Sequence, residues 1–156
     1  MKIGVVSDSH DNLPAIRKAV ETLNRENVEV ILHAGDFVAP FAVREFLKAK
    51  AQLIGVFGNN DGERKGLAKL CEDIQPGPRL LELGARKIAL AHEEKAITPA
   101  LLEKASVAVY GHTHKVVVEK AQVLRLNPGE CGGWLTDRCT IAILDTETLD
   151  VKIIEL

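Results

Sequence analysis

Four of the five histidines in this 156-residue chain, with two aspartates and an asparagine, stand just behind runs of apolar, β-branched-rich residues. KIGVV leads to Asp8-Ser9-His10, VILHAG to Asp36, LIGVFG to Asn59, KIALA to His92, and VAVYG to His112-Thr113-His114. Carboxylates, imidazoles and an amide oxygen are ligands for hard and borderline divalent ions. Apolar runs of this length read as buried strands, and open α/β sheets bind ligands beyond the carboxyl ends of their strands. Five strands that deliver such residues to one edge would build a single polar cluster. Two carboxylates, four imidazoles and one amide exceed the needs of one ion. The pattern therefore points to two metal ions and to hydrolytic chemistry.

The elements that must position these residues are legible in order. Ile16, Ala19, Val20 and Leu23 fall at helical spacing, with Asp11 or Asn12 as cap and Pro14 in the first turn. A strand over 28–34 precedes a helix that starts near Pro40 and carries Val43, Phe46 and Leu47. A strand over 52–57 leads to Asn59, and a helix follows through Leu67 and Leu70. This alternation of strand and helix favours a parallel sheet. The second half changes character. Strands at 79–83 and 86–91 flank Gly84-Ala85 as a hairpin, and a short helix (98–104) precedes the strand ending at Gly111. Runs at 116–120, 122–126, 139–145 and 150–155 then read as strands joined by short turns. The expected fold is α/β, two packed mixed β-sheets forming a β-sandwich flanked by helices, in a single domain over residues 1–156. Gly35, Gly58 and Gly111 each precede a ligand candidate, where the chain must turn sharply or approach an ion closely.

Composition narrows the function classes. Twenty basic against twenty-two acidic residues leave a net charge of −2, without the electrostatic footprint that a nucleic acid or an anionic membrane requires. Aromatic residues at 4% argue against a stacking platform for single strands. No stretch approaches the roughly 20 apolar residues of a membrane span, and no signal peptide is readable. Cys71, Cys131 and Cys139 are odd in number and widely spaced, so a reducing, cytosolic location is expected rather than a disulfide framework.

Asp8-x-His10, Gly35-Asp36, Gly58-Asn59-x-Asp61, a lone His92 and Gly111-His112-x-His114 occur in the order seen in calcineurin-like metallophosphoesterases. The chain resembles the small prokaryotic phosphodiesterases of that superfamily from Met1 to about residue 130, including the late turn Asn127-Pro128-Gly129. Asp8 or Asp36 taken singly could start a loop or cap a helix, and His92 could be a satisfied core histidine. The ordered set of motifs is far more specific. The resemblance implies that Asp8, His10 and His114 hold one ion, that Asn59, His92 and His112 hold another, and that Asp36 bridges them. Asp36, Asn59 and His112 would count as catalytic. Two divalent ions are implied, Mn first and Ni, Co, Fe or Zn as alternatives, which generate a hydroxide nucleophile for a small phosphodiester. Alternatives within the resemblance are a phosphomonoesterase, a nucleotide pyrophosphatase, or a non-catalytic scaffold such as some trafficking relatives have become. Relatives are often oligomeric, so a homo-oligomer is also implied. No nucleic-acid polymer and no membrane are expected as partners.

Neighbouring residues carry further expectations. His33 lies inside a strand and reads as core, or as a support for a ligand. Asp61 either orients a ligand or caps the helix behind it, and Asn12 reads as a cap. The Gly-rich segment Gly129–Gly133 with Trp134 reads as a mobile surface loop, and Cys131 shows no sign of reactivity. Two departures from the family pattern stand out. Many members have His where this chain has Asn60, which removes a general acid for the leaving oxygen. Glu93-Glu94 follow His92 in place of the usual Gly, and would repel polyanions if they point inward.

Overall fold

The computed structural model describes all residues 1–156. Its first half runs β1 (Lys2–Val6), α1 (Leu13–Arg25), β2 (Val30–His33), α2 (Pro40–Phe46), β3 (Gln52–Val56), α3 (Arg64–Leu70) and β4 (Ile74–Gln75). Its second half runs β5 (Arg79–Leu83), β6 (Arg86–Leu90), a 3-10 turn over Glu94–Ala96, α4 (Pro99–Leu102) and β7 (Val107–Val109). It ends with β8 (Val116–Lys120), β9 (Leu124–Pro128), β10 (Thr140–Asp145) and β11 (Val151–Glu155). No helix is long and apolar enough to cross a membrane.

Two mixed sheets result. One has the order β11-β10-β1-β2-β3-β4, with β1 to β4 parallel and β10 and β11 added antiparallel. The other has the order β5-β6-β7-β9-β8, with β6, β7 and β9 parallel between antiparallel edges. Side chains alternate across a strand, so each strand of the first sheet serves two cores. Ile3, Val5, Leu32, Ile54 and Val56 face Ile88, Leu90, Val107, Val109 and Leu126 of the second sheet. Val6, Ile31 and Leu53 face the other way, onto Ile16, Leu23, Phe46 and Leu67 of α1 to α3. Each fully buried Leu or Ile contributes about 1.5–3 kcal/mol. A smaller cluster of Ala89, Ala108 and Tyr110 lies on the outside of the second sheet beneath Ile97.

The parallel registers place the site. Val6 pairs with His33 and His33 with Gly55, so the loops after β1, β2 and β3 leave the sheet side by side. Leu90 pairs with Val109, which does the same for the loops after β6 and β7. The α1 cap is Asn12, whose Oδ1 accepts from Ala15 N at 3.3 Å, with Pro14 in the first turn. Three elements differ from the sequence expectation. β4 is only two residues long, too short to show a period. The strand expected at 122–126 begins at Leu124, because Ala121–Val123 are needed to turn from β8. The helix expected over 98–104 is a single turn that Thr98 caps through Leu101 N.

Candidate metal centre

All seven candidate ligands lie at the edge where β1, β2, β3, β6 and β7 end. Asp8, Asp36 and His92 are buried, whereas Asn59 and His112 are exposed. Ligating atoms of Asp8, His10 and His114 lie within 4.8 Å of one another, as do those of Asp8, Asp36 and His92. His114 Nε2 is 3.4 Å from Asp8 Oδ1, and His10 Nε2 is 3.9 Å from the same oxygen. Asp36 Oδ2 is 3.5 Å from both His10 Nε2 and His92 Nε2, so this carboxylate stands between the two groups.

Backbone conformation aims these side chains. Asp8 (φ 52°), His10 (φ 40°), Asp36 (φ 62°), His112 (φ 67°) and His114 (φ 61°) all adopt the left-handed region. Such residues persist only where their surroundings hold them, and they concentrate at functional sites. Here the holding groups are long-range backbone bonds, Asp8 N to Gly35 O at 3.0 Å and His10 N to Asp36 O at 3.1 Å. The glycines divide their work. Gly35 itself has φ 100°, whereas Gly58 and Gly111 leave room. A Cβ on Gly58 would stand 2.1 Å from Asp36 Oδ1, and one on Gly111 would stand 1.7 Å from Ser7 Oγ.

Hydrogen bonds hold some faces of these side chains and leave Asp8 Oδ1, His10 Nε2 and His114 Nδ1 buried without a hydrogen-bond partner. Asp8 Oδ2 accepts from Ser7 Oγ and from His112 N, while buried Oδ1 has no hydrogen-bond partner. Buried His10 Nε2 has none either. Burial pushes the Asp8 carboxyl above its ordinary range, against the hydrogen bond from Ser7 and the nearby His92 and His114. Asp36 accepts from Asn60 N at Oδ1 and from Asn60 Nδ2 at Oδ2, both at 2.8 Å. His92 Nδ1 lies 2.8 Å from Ala34 O, and a carbonyl only accepts, so Nδ1 carries the proton and Nε2 presents a lone pair. That lone pair meets Asn59 Oδ1 at 2.8 Å, Asp36 Oδ2 at 3.5 Å and His112 Nδ1 at 3.3 Å. Oxygen and nitrogen acceptors facing one another, plus an orphaned carboxylate oxygen and imidazole nitrogen, fit cations between them. The donor set suits divalent metals.

Supporting residues were only partly legible in the sequence. His33 is wholly buried against Phe37, accepts from Gly35 N at Nδ1 and donates from Nε2 to Ser9 Oγ at 3.1 Å. Burial, with His92 and His10 nearby, holds its pKa well below the usual histidine value. It braces the loops rather than a ligand side chain. Asp61 accepts from Asp36 N, Val38 N and Gly58 N, which ties the β2 and β3 loops together instead of capping α3. The segment expected to be a mobile surface loop is anchored: Cys131 N bonds Ser7 O, Gly132 N bonds Asp8 O, and both Glu130 and Cys131 are buried. Burial pushes the Cys131 thiol far above the usual cysteine range, consistent with an unreactive core residue. Glu130, which sequence reasoning misses, accepts from the backbone of Trp134, Leu135 and Thr136, and its Oε1 lies 3.2 Å from His114 Nδ1. A lone acid inside a glycine-rich stretch is the one signal that marks it. Glu93 and Glu94 are paired with Lys95 and Arg125, which blunts the expected repulsion.

Residues 1–149 match the calcineurin-like phosphoesterase superfamily domain. The chain belongs to that superfamily. This calcineurin-like phosphoesterase is 44% identical over 168 residues to phosphodiesterase MJ0936 of Methanocaldococcus jannaschii, across 100% of this chain and 99% of the relative. Phosphodiesterase YfcE of Escherichia coli K12 is 28% identical, with 97% and 91% covered. A solved archaeal phosphodiesterase superposes with a TM-score of 0.90 at 42% identity, covering both chains completely. The protein is thus an enzyme of the phosphoric ester hydrolase class, and its candidate ligands sit where the two-sheet fold gathers its strand ends.

Proposed function

We propose that this phosphoesterase is a phosphodiesterase for a small phosphodiester, a single domain over 1–156 that works with two divalent ions, Mn²⁺ foremost. Asp8, His10 and His114 would hold one ion, Asn59, His92 and His112 the other, and Asp36 would contact both. The observation that carries this reading is the position of Asp36 Oδ2, 3.5 Å from both His10 Nε2 and His92 Nε2, one from each group of candidate ligands. When bound, a pair of ions supplies activated water and neutralises charge on the phosphoryl oxygens. The protein's own groups provide the rest. Ala34 O sets the His92 tautomer, Ser7 and His112 N fix one Asp8 oxygen so that the other points inward, and Asn60 grips Asp36 with two donors.

Asn60 also bears on substrate choice. Its amide donates to Asp36 and offers no proton at neutral pH, so leaving oxygens must depart without a general acid from this position. That favours a diester with a good leaving group over an alkyl monoester. Exhaustive chelation should abolish phosphodiesterase activity, and Mn²⁺, Co²⁺ or Ni²⁺ should restore it better than Mg²⁺, which dehydrates reluctantly and prefers all-oxygen sites. Undiminished turnover in verified metal-free protein would exclude the mechanism.

A further inference from the structure

Arg64, the first residue of α3, folds back over the loop that carries Asn59. Its Nε donates to Asp61 O at 3.1 Å and its Nη2 to Gly58 O at 3.3 Å, and its Cζ lies 5.4 Å from the centre of the Phe57 ring. These contacts pin the guanidinium without neutralising it. No carboxylate lies within ion-pair reach, and Nη1 has no hydrogen-bond partner. The arginines that line other clefts are different: Arg17 pairs with Glu45, Arg125 with Glu94 and Arg138 with Glu155.

The place of this free cation is what gives it meaning. Arg64 lines a cleft of about 220 Å³ together with Asn59 and His92, two of the candidate ligands. Glu93, which lines the same cleft, is paired with Lys95 at 2.6 Å and makes no ion pair with Arg64. A guanidinium keeps its charge at any working pH and matches a phosphate oxygen pair with its planar donors. Held by backbone and an aromatic face, it loses little side-chain freedom on binding.

We propose that Arg64 is a substrate-binding residue that holds an oxyanion of the phosphoric ester in the cleft beside Asn59 and His92. This rests on the reading that Asn59 and His92 hold an ion at which the ester docks. The oxyanion is either a non-bridging oxygen of the scissile phosphoryl group or a second phosphate carried by the substrate. The chemistry recognised is the same.

The test uses the metal-loaded wild-type protein first. Phenylglyoxal modification is followed residue by residue by mass spectrometry, with and without inorganic phosphate, and exposed Arg44 serves as the control. Phosphate should slow modification of Arg64 and leave Arg44 unaffected. Arg64→Gln should then weaken phosphate binding about tenfold or more, as loss of a charged hydrogen bond predicts, with partial recovery in Arg64→Lys and unchanged metal content. Equal modification of Arg64 with and without phosphate would overturn the proposal, and this arm decides even if Arg64→Gln does not fold. Bis(4-nitrophenyl) phosphate and a diester bearing a second phosphate separate the two sources. A raised KM for both in Arg64→Gln assigns the scissile group, and a raised KM for the second alone assigns the extra phosphate. A KM unchanged for both overturns the proposal. Protection of Arg64 in a protein that hydrolyses no diester would leave the anion site standing and sink the phosphodiesterase reading. Diester hydrolysis without protection would do the reverse.

Discussion

Asp8, His10 and His114 are buried or half-buried, whereas at the other end Asn59 and His112 are exposed, only His92 is buried, and Asn59 and His92 line an open cleft. The enclosed end has a carboxylate of its own, and the loop over Gly129–Thr136 closes around it. Trp134 Nε1 donates to His10 O at 3.0 Å, Gly132 N to Asp8 O, and Glu130 lies beside His114. The open end has only neutral candidate ligands apart from Asp36, which lies 3.5 Å from a histidine of each end. Its exposed members, Asn59 and His112, meet each other at 3.0 Å. A buried charge needs a cation more than a solvated neutral donor does. On the proposed two-ion reading, the difference implies a division of labour: the ion at the first end would be held more firmly, and the one at the open end would exchange and receive the substrate.

Breaking both ends at once should give the largest effect. Asp36→Asn removes the shared charge, so both sites should lose metal, and kcat should fall by about 10²–10³-fold or more. Metal analysis and steady-state rates on the same sample check this, and full activity would refute the bridging role. A sharper cut separates the ends. Asp8→Asn should weaken the enclosed site even in excess Mn²⁺, while His92→Ala should lose one ion that added Mn²⁺ partly restores. Metal titrations of both variants would contradict the division if the two lost the same ion or were rescued equally.

The smallest effect concerns the scaffold behind both ends. His33 is held neutral by burial, with a folded pKa well below the ordinary 6.5. The unfolded chain therefore binds a proton that the folded chain does not, between 6.5 and the lower folded value. Stability from this group is complete above about pH 6.5 and falls as pH drops below it, by at most about 1.4 kcal/mol per pH unit. His33→Asn should lower stability at neutral pH but flatten this acid slope while both metals stay bound. Denaturant midpoints across pH 5–7.5 measure it, and an unchanged slope would remove His33 as the titrating group.

Much of this centre is legible in the chain itself. The strand-end ligands are marked by local pattern, an apolar run followed by a polar residue, and that signal needs no tertiary information. Glu130 carries no such mark. Glu130 sits in a glycine-rich stretch that resembles any loop until Cys131 N and Gly132 N are seen pairing with Ser7 and Asp8, more than 120 residues earlier. Trp134 likewise gains its role from a bond to His10 O, which no spacing predicts.

The sequence by itself therefore determined the candidate ligand set, the parallel first half and the mixed second half, because side-chain type and hydrophobic period are local properties. Only the tertiary structure decided how the ligands divide. Ala34 O, 58 residues before His92, selects its tautomer. Asn60 turns to Asp36 rather than to the cleft, and Arg64 is left without a counter-ion. Each of these outcomes depends on which loop lies next to which, and that follows from strand order and register rather than from any stretch of chain.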